Sequence, residues 1–236
     1  MVSEQVFWDR QVVISTFSGL VAGLVHVFSG PDHLAAIAPL SVGQRKQTWA
    51  IGFRWGLGHS SGVVLVGLLS LLLREILPMD LVSSCADRLM GVVLIGIGIW
   101  GIRKGLTHHL HTHEHTHQGQ THRHIHMHRR TTAHHHREPE THVHTHAAFA
   151  VGTLHGLAGS AHLLGILPAL AFPTRTQAIG YLLAFSIGTI VAMMVFSSMI
   201  GQAARRSAFS GPLAYRALMF SCSAAAIGVG GYWLTA

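Results

Sequence analysis

Charge is scarce in this chain. Asp, Glu, Lys and Arg make up 11% of its 236 residues, against about 25% in a typical soluble domain. That shortage excludes a soluble globular architecture for most of the chain and leaves hydrocarbon as its solvent. Cysteine is nearly absent: Cys85 and Cys222 are isolated and form no C-x-x-C pair, so neither a disulfide framework nor a thiol relay is indicated. No H-E-x-x-H pairing, nucleophile elbow or nucleotide loop is present, and the chain is not expected to be an enzyme. The formal charge of +7 does not signal nucleic acid, because the Lys and Arg residues are spread over short connections rather than gathered on one face or arm. The N-terminus carries Glu4 and Asp9 where a secretory signal has a basic cluster, so the first apolar segment is expected to be retained.

What is abundant is apolar sequence, 49% of the residues, with a mean hydropathy of +0.41. A bilayer-spanning helix needs about 20 mostly apolar residues. Six stretches qualify: Gln11 to Leu40, Thr48 to Leu73, Ala86 to Ile102, Ala147 to Phe172, Gln177 to Ile200 and Pro212 to Leu234. If the spans alternate, Arg45, Lys46, Arg103, Lys104, Arg123, Arg129, Arg130, Arg137, Arg205 and Arg206 share one side. The other side holds Arg10, Arg74, Arg88 and Arg175. The positive-inside rule then puts the first group in the cytoplasm and both termini outside.

Between the third and fourth spans, residues 106–146 hold 16 of the 21 histidines. These are His108, His109, His111, His113, His115, His117, His122, His124, His126, His128, His134, His135, His136, His142, His144 and His146. Almost without apolar residues, the segment cannot bury a core and is expected to be a disordered cytoplasmic loop. Neutral imidazole suits nickel, cobalt, copper and zinc, so the segment reads as a metal buffer. A solvated linker with no ligand is the bland alternative.

The chain also repeats itself. "GLVHVFSGPDHLAAIAPL", starting at Gly23, aligns without gaps on "GTLHGLAGSAHLLGILPA", starting at Gly152, and "FRWGLGHSSG" lies over "LAFSIGTIVA" with Gly58 on Gly188. Each half reads as three spans, residues 1–105 and 147–236, and an odd number of spans turns the halves over relative to each other. The expected fold is an all-α membrane protein of six transmembrane helices in two inverted three-helix repeats, with broken helices at the first span of each. That is a common transporter plan, its site near the midplane where broken helices meet.

Only five histidines lie outside the segment: His26, His33, His59, His155 and His162, all within expected spans. Ionisable groups there are costly and usually face a bundle interior or cavity. A single one could be an interhelical hydrogen bonder; four at repeat-related positions point to a shared site. His26 and His33 are seven apart, which on an unbroken helix means about 10 Å along the axis at 1.5 Å per residue. Two nitrogens each about 2 Å from one ion cannot be that far apart. Either they are two stations on a path or the helix breaks between them, and Gly30 and Pro31 favour a break. Gly156, Gly159 and Ser160 stand at the corresponding place in the second copy. Asp32 falls at the start of the second half-helix, as an N-cap, a ligand or an orienter of its histidine neighbours. His59 follows Gly56 and Gly58, which would let another backbone come close, and its repeat partner is Thr189. A set of imidazoles with one carboxylate and no thiolate suits nickel or cobalt, with zinc and copper as alternatives.

Together "HVFSGPDHL", "GLGHSSG", "GTLHGLAGSAHL" and the histidine-rich segment resemble the NicO-type nickel/cobalt transporters, including their urease-accessory branch. The resemblance implies a multi-pass protein of the bacterial cytoplasmic (inner) membrane that moves nickel or cobalt. It maps the family's His-Asp-His signature onto His26, Asp32 and His33, and the second motif onto Gly58 and His59. High-affinity nickel permeases of a related group have four residues before the signature Asp and an acid after the second-motif histidine; here there are five, and Ser60. No permanently bound cofactor is expected. The expected partners are a divalent ion, the lipid bilayer, and a metallochaperone or a second copy of the chain. A membrane accessory protein delivering nickel to an enzyme such as urease is the alternative. A membrane electron or thiol carrier shares the six-span plan, but the cysteine pair it needs is missing.

Overall fold

The first apolar stretch breaks where Gly30 and Pro31 predict. The computed structural model describes residues 2–44, 47–73, 79–117, 120–129, 142–158, 168–169 and 171–235, and in it Gly30 alone separates α1 (Val2–Ser29) from α2 (Pro31–Val42). Gly30 is extended, φ −92° and ψ 101°, and Pro31 opens α2. Proline loses no hydrogen bond at that position, and its ring pushes the preceding residue out of the helical region. The remaining helices are α3 (Thr48–Leu73), α4 (Met79–Thr107), α5 (His142–Leu157), α6 (Arg175–Ser210) and α7 (Pro212–Thr235). A capping box starts α6, with Gln177 N donating to Thr174 Oγ1 at 3.3 Å and Thr174 N to Gln177 Oε1 at 3.3 Å. Gly211, at φ 132°, divides α6 from α7 in a conformation that glycine adopts without strain.

Four described helices contain segments long and apolar enough to cross a membrane: Arg10–Ser29, Asp87–Thr107, Arg175–Ala208 and Pro212–Thr235. The sequence predicts six. The difference falls on α3, which carries Arg54 and whose far end is only partly described, and on α5, which has 16 residues.

The histidine-rich stretch also differs from expectation. His108–His117 (β1) and Gln120–Arg129 (β2) pair antiparallel, with His113 opposite His124. Low hydrophobicity predicts disorder, but it ignores period. From His109 to His117 every second residue is histidine, with Leu, Thr, Glu and Thr between, and two is the period of a strand. At its far end, His142, His144 and His146 belong to α5 rather than to a loop. His134, His135 and His136 lie outside the described residues.

Helix α1 lies along α6, α3 along α5 and α6, and α4 along α7. Glycine sets how closely they meet. A side chain at Gly23 would collide with the carbonyl of Phe185, and one at Gly188 with that of Leu20. Likewise a side chain at Gly152 would strike the carbonyl of Trp55, and one at Gly58 that of Phe149. In lipid, where apolar side chains gain nothing by hiding from the solvent, such backbone approach is a main source of helix association. The shared interior holds Ile37, Ile51, Trp55, Met90, Leu94 and Met193, all fully buried. Val13, Phe17, Leu183 and Ile187 are each more than half exposed, as side chains facing hydrocarbon are.

Candidate metal centre

Four helices deliver the site. The last turn of α1 carries His26, the first turn of α2 carries Asp32 and His33, α3 brings His59 and the last turn of α5 brings His155. Asp32, His33, His59 and His155 are buried, and His26 is half-buried. The break at Gly30 answers the distance problem posed by the sequence: the rings of His26 and His33 lie 4.6 Å apart, centroid to centroid. His33 is then 5.0 Å from His59 and 4.5 Å from His155. His26 and His155 each lie 5.7 Å from His59. A side chain at Gly30 would strike both His33 and Asp32, so the absence of one is part of the geometry.

Asp32 holds two of the rings. His33 Nδ1 is 3.1 Å from Oδ1 and His155 Nε2 is 3.0 Å from Oδ2. An ionised carboxylate only accepts hydrogen bonds, so each of these nitrogens carries the hydrogen. The opposite nitrogen, Nε2 on His33 and Nδ1 on His155, then carries the lone pair that a metal needs. This is the carboxylate–histidine relation that orients metal-binding imidazoles. Two groups of ligand atoms lie within 4.8 Å of one another, His26 with His33 and His59, and Asp32 with His33 and His155. His33 belongs to both.

Sequence reasoning missed the aromatic walls. Trp55, one turn before His59, stacks on it at 5.0 Å with the planes 10° apart, and lies 5.5 Å from His33 and 5.3 Å from His155. Phe185 lies 5.4 Å from His26. The signal was available, because Trp55 and Phe185 occupy aligned positions of the two halves. His162, Gly159 and Ser160 lie outside the described residues. Cys85 lies on α4 and Cys222 on α7, so the chemistry gathered here is that of histidine.

These observations define an integral membrane protein whose helices enclose a histidine cluster. The chain belongs to the family described as "Cytochrome C biogenesis protein transmembrane region", whose model matches residues 17–233. It is 34% identical over 221 residues to "Chloroplast protein FOR GROWTH AND FERTILITY 2" of Arabidopsis thaliana, covering 93% of this chain and 56% of that protein. The "Urease accessory protein UreH" of Bacillus sp. (strain TB-90) is 29% identical over 186 residues, 78% of this chain and 74% of the relative. A Methanocaldococcus jannaschii protein named for nickel/cobalt efflux is 27% identical over 102 residues, 42% and 48% of the two chains. The chain thus spans little more than half the length of the plant relative. No solved structure matches it. The matching family differs from the one its motifs resemble, while the last two relatives are named for urease accessory work and for nickel/cobalt efflux.

Proposed function

We propose that this chain is a secondary transporter of nickel or cobalt ions. The observation that carries the proposal is the convergence of His26, His33, His59 and His155 inside the helical body, with His33 and His155 held by the carboxylate of Asp32. Removing so many ionisable groups from water is costly in a membrane protein unless they serve a path for ions. Imidazoles with one carboxylate favour borderline divalent ions, whereas calcium or magnesium would want more oxygen ligands. In this proposal the histidines are the ligands and Asp32 chiefly orients them. The proposal extends by the sequence repeat to His162, the partner of His33, as a further ligand, and to Gly159 and Ser160 as site-shaping residues.

The proposal includes two inverted three-span repeats in a bacterial cytoplasmic membrane. Support comes from the helix contacts, since Gly23 against Phe185 and Gly152 against Trp55 join aligned residues of the two halves. The histidine-rich segment, on the cytoplasmic side, collects ions before or after transport.

Purified full-length protein in liposomes tests this directly. Nickel, cobalt, zinc and manganese would be followed under gradients imposed in each direction, with nickel or cobalt flux expected and lost in His33→Ala. Absence of metal flux under every gradient would overturn the transport reading. It would favour an accessory protein that hands nickel to an enzyme such as urease, which the name of the Bacillus relative supports.

A further inference from the structure

We infer that in this conformation the described residues leave the histidine cluster one approach, from the face of the membrane on which α7 ends, and that the opposite end of α2 is the closed gate. The inference builds on the transport reading. Two ends of one short helix carry it, because they are built differently.

At the N-terminal end of α2 there is open space. A cavity of ≈ 560 Å³ is walled by His26, Ser29, Asp32 and His33 on one side and by Gly228 and Trp233 of α7 on the other. A side chain at Gly228 would meet nothing within 4 Å. The cavity runs on to Tyr232, which is 69% exposed, in the last turns of a 24-residue helix. At 1.5 Å per residue such a helix is about 36 Å long, so its last turn stands near the water boundary, where Tyr and Trp are favoured. The cavity therefore links two site histidines and Asp32 to that boundary.

The C-terminal end of α2 is tied by hydrogen bonds to its neighbours. Ser41 and Ser197 Oγ atoms are 3.0 Å apart, and Ser197 also donates to the Thr48 carbonyl. Tyr215 donates to the Val42 carbonyl at 3.2 Å, and Lys104 Nζ to the Gly43 carbonyl at 2.9 Å. The last carbonyls of a helix have no partner within it; here α7 and α4 supply them. Around these ties Val42, Ala204, Tyr215 and Met219 form a separate buried apolar cluster. Close-packed apolar side chains exclude a hydrated ion, and the ammonium of Lys104 repels a cation. Lys104 lies three residues from the end of α4, where the histidine-rich segment begins, so the sealed end faces that segment. Release on that face requires the ties from α4, α6 and α7 to part.

The test uses full-length protein with Cys85 and Cys222 replaced by alanine, in oriented vesicles, and a polar thiol reagent that does not cross membranes. Ser29→Cys and Gly228→Cys are expected to react only from the face opposite the histidine-rich segment, and Ser41→Cys from neither. Adding Tyr215→Phe and Ser197→Ala should make Ser41→Cys reactive from the segment's face. Reaction of Ser29→Cys from the segment's face or from neither face, or of Ser41→Cys with the ties intact, would overturn the inference. Flux gives a second arm. Gly228→Trp should slow nickel or cobalt movement by about tenfold or more by filling the cavity, while Gly96→Trp, on α4 where a side chain also meets nothing within 4 Å, should change it by less than about twofold. Equal flux in both variants would reject the route. The labelling needs no metal, so an absence of flux in the parent chain would count against transport without touching the access result.

Discussion

Two sets of histidines can be compared in one chain. In the helical body, four rings are linked by centroid separations of 4.5 to 5.7 Å, each presented by a different stretch of helix. Between α4 and α5, histidine recurs at every second position of two paired strands. Four residues converge on one point, while the larger number repeats along a line. Successive same-face positions on a strand are about 7 Å apart, so no one place in the segment is privileged over its neighbours. Placement rather than number should therefore separate a selective site of low capacity from a collecting surface of high capacity.

The largest test of that contrast is to remove one histidine from the body. His33 belongs to both groups of candidate ligands, so His33→Ala should lower nickel or cobalt flux by about a hundredfold or more, above the 10–100-fold typical for residues that only orient a ligand. Flux within a few-fold of the parent would mean that the cluster is not on the ion's path. Next in size is Asp32→Asn. The amide keeps the shape but puts a donor where one imidazole also donates, so one of the bonds to His33 and His155 is lost. A fall of about 10–100-fold in metal affinity, measured by calorimetry on purified protein, is expected; an unchanged affinity would mean that the bonds from Asp32 to His33 and His155 do not set the rings for an ion. Trp55→Phe comes third. Phenylalanine stands at the aligned position Phe185, and ring stacking is worth about 0.5–1.5 kcal/mol, so affinity should weaken by about two- to tenfold. Trp55→Ala should do more.

How much of this could be read in advance differs along the chain. The break at Gly30 and Pro31 was legible because it depends on local backbone sterics, which a few adjacent residues decide. The meeting of His26 with His33 followed from it by simple geometry. That His155 comes to Asp32 was not legible, since it depends on how α5 docks against α3, a matter of glycines such as Gly58 and Gly152 meeting carbonyls far away in sequence. Trp55 was passed over because an aromatic residue in an apolar span looks like packing until its neighbours are known. The paired strands were missed for another reason: composition was weighed and period was not. The expectation of six spans rested on hydropathy, which the described parts of α1, α4, α6 and α7 satisfy; of the other two helices, α3 carries Arg54 and is described only in part toward its far end, and α5 has 16 residues.

The smallest expected effect completes the comparison. Replacing all sixteen segment histidines with serine keeps the length of the connection and the start of α5, which a deletion would disturb. If the segment only collects ions, maximal flux should stay within about twofold of the parent, while the number of ions bound per chain at equilibrium drops sharply. Acid gives a second handle. A proton and a metal compete for the same imidazole lone pair, and imidazole in water titrates near about 6.5, so ions held by the segment should be released as pH falls through about 6. In the serine variant that pH-dependent release should vanish, leaving whatever the body retains. Complete loss of flux in a well-folded serine variant would place the segment on the path itself and erase the distinction between the two sets.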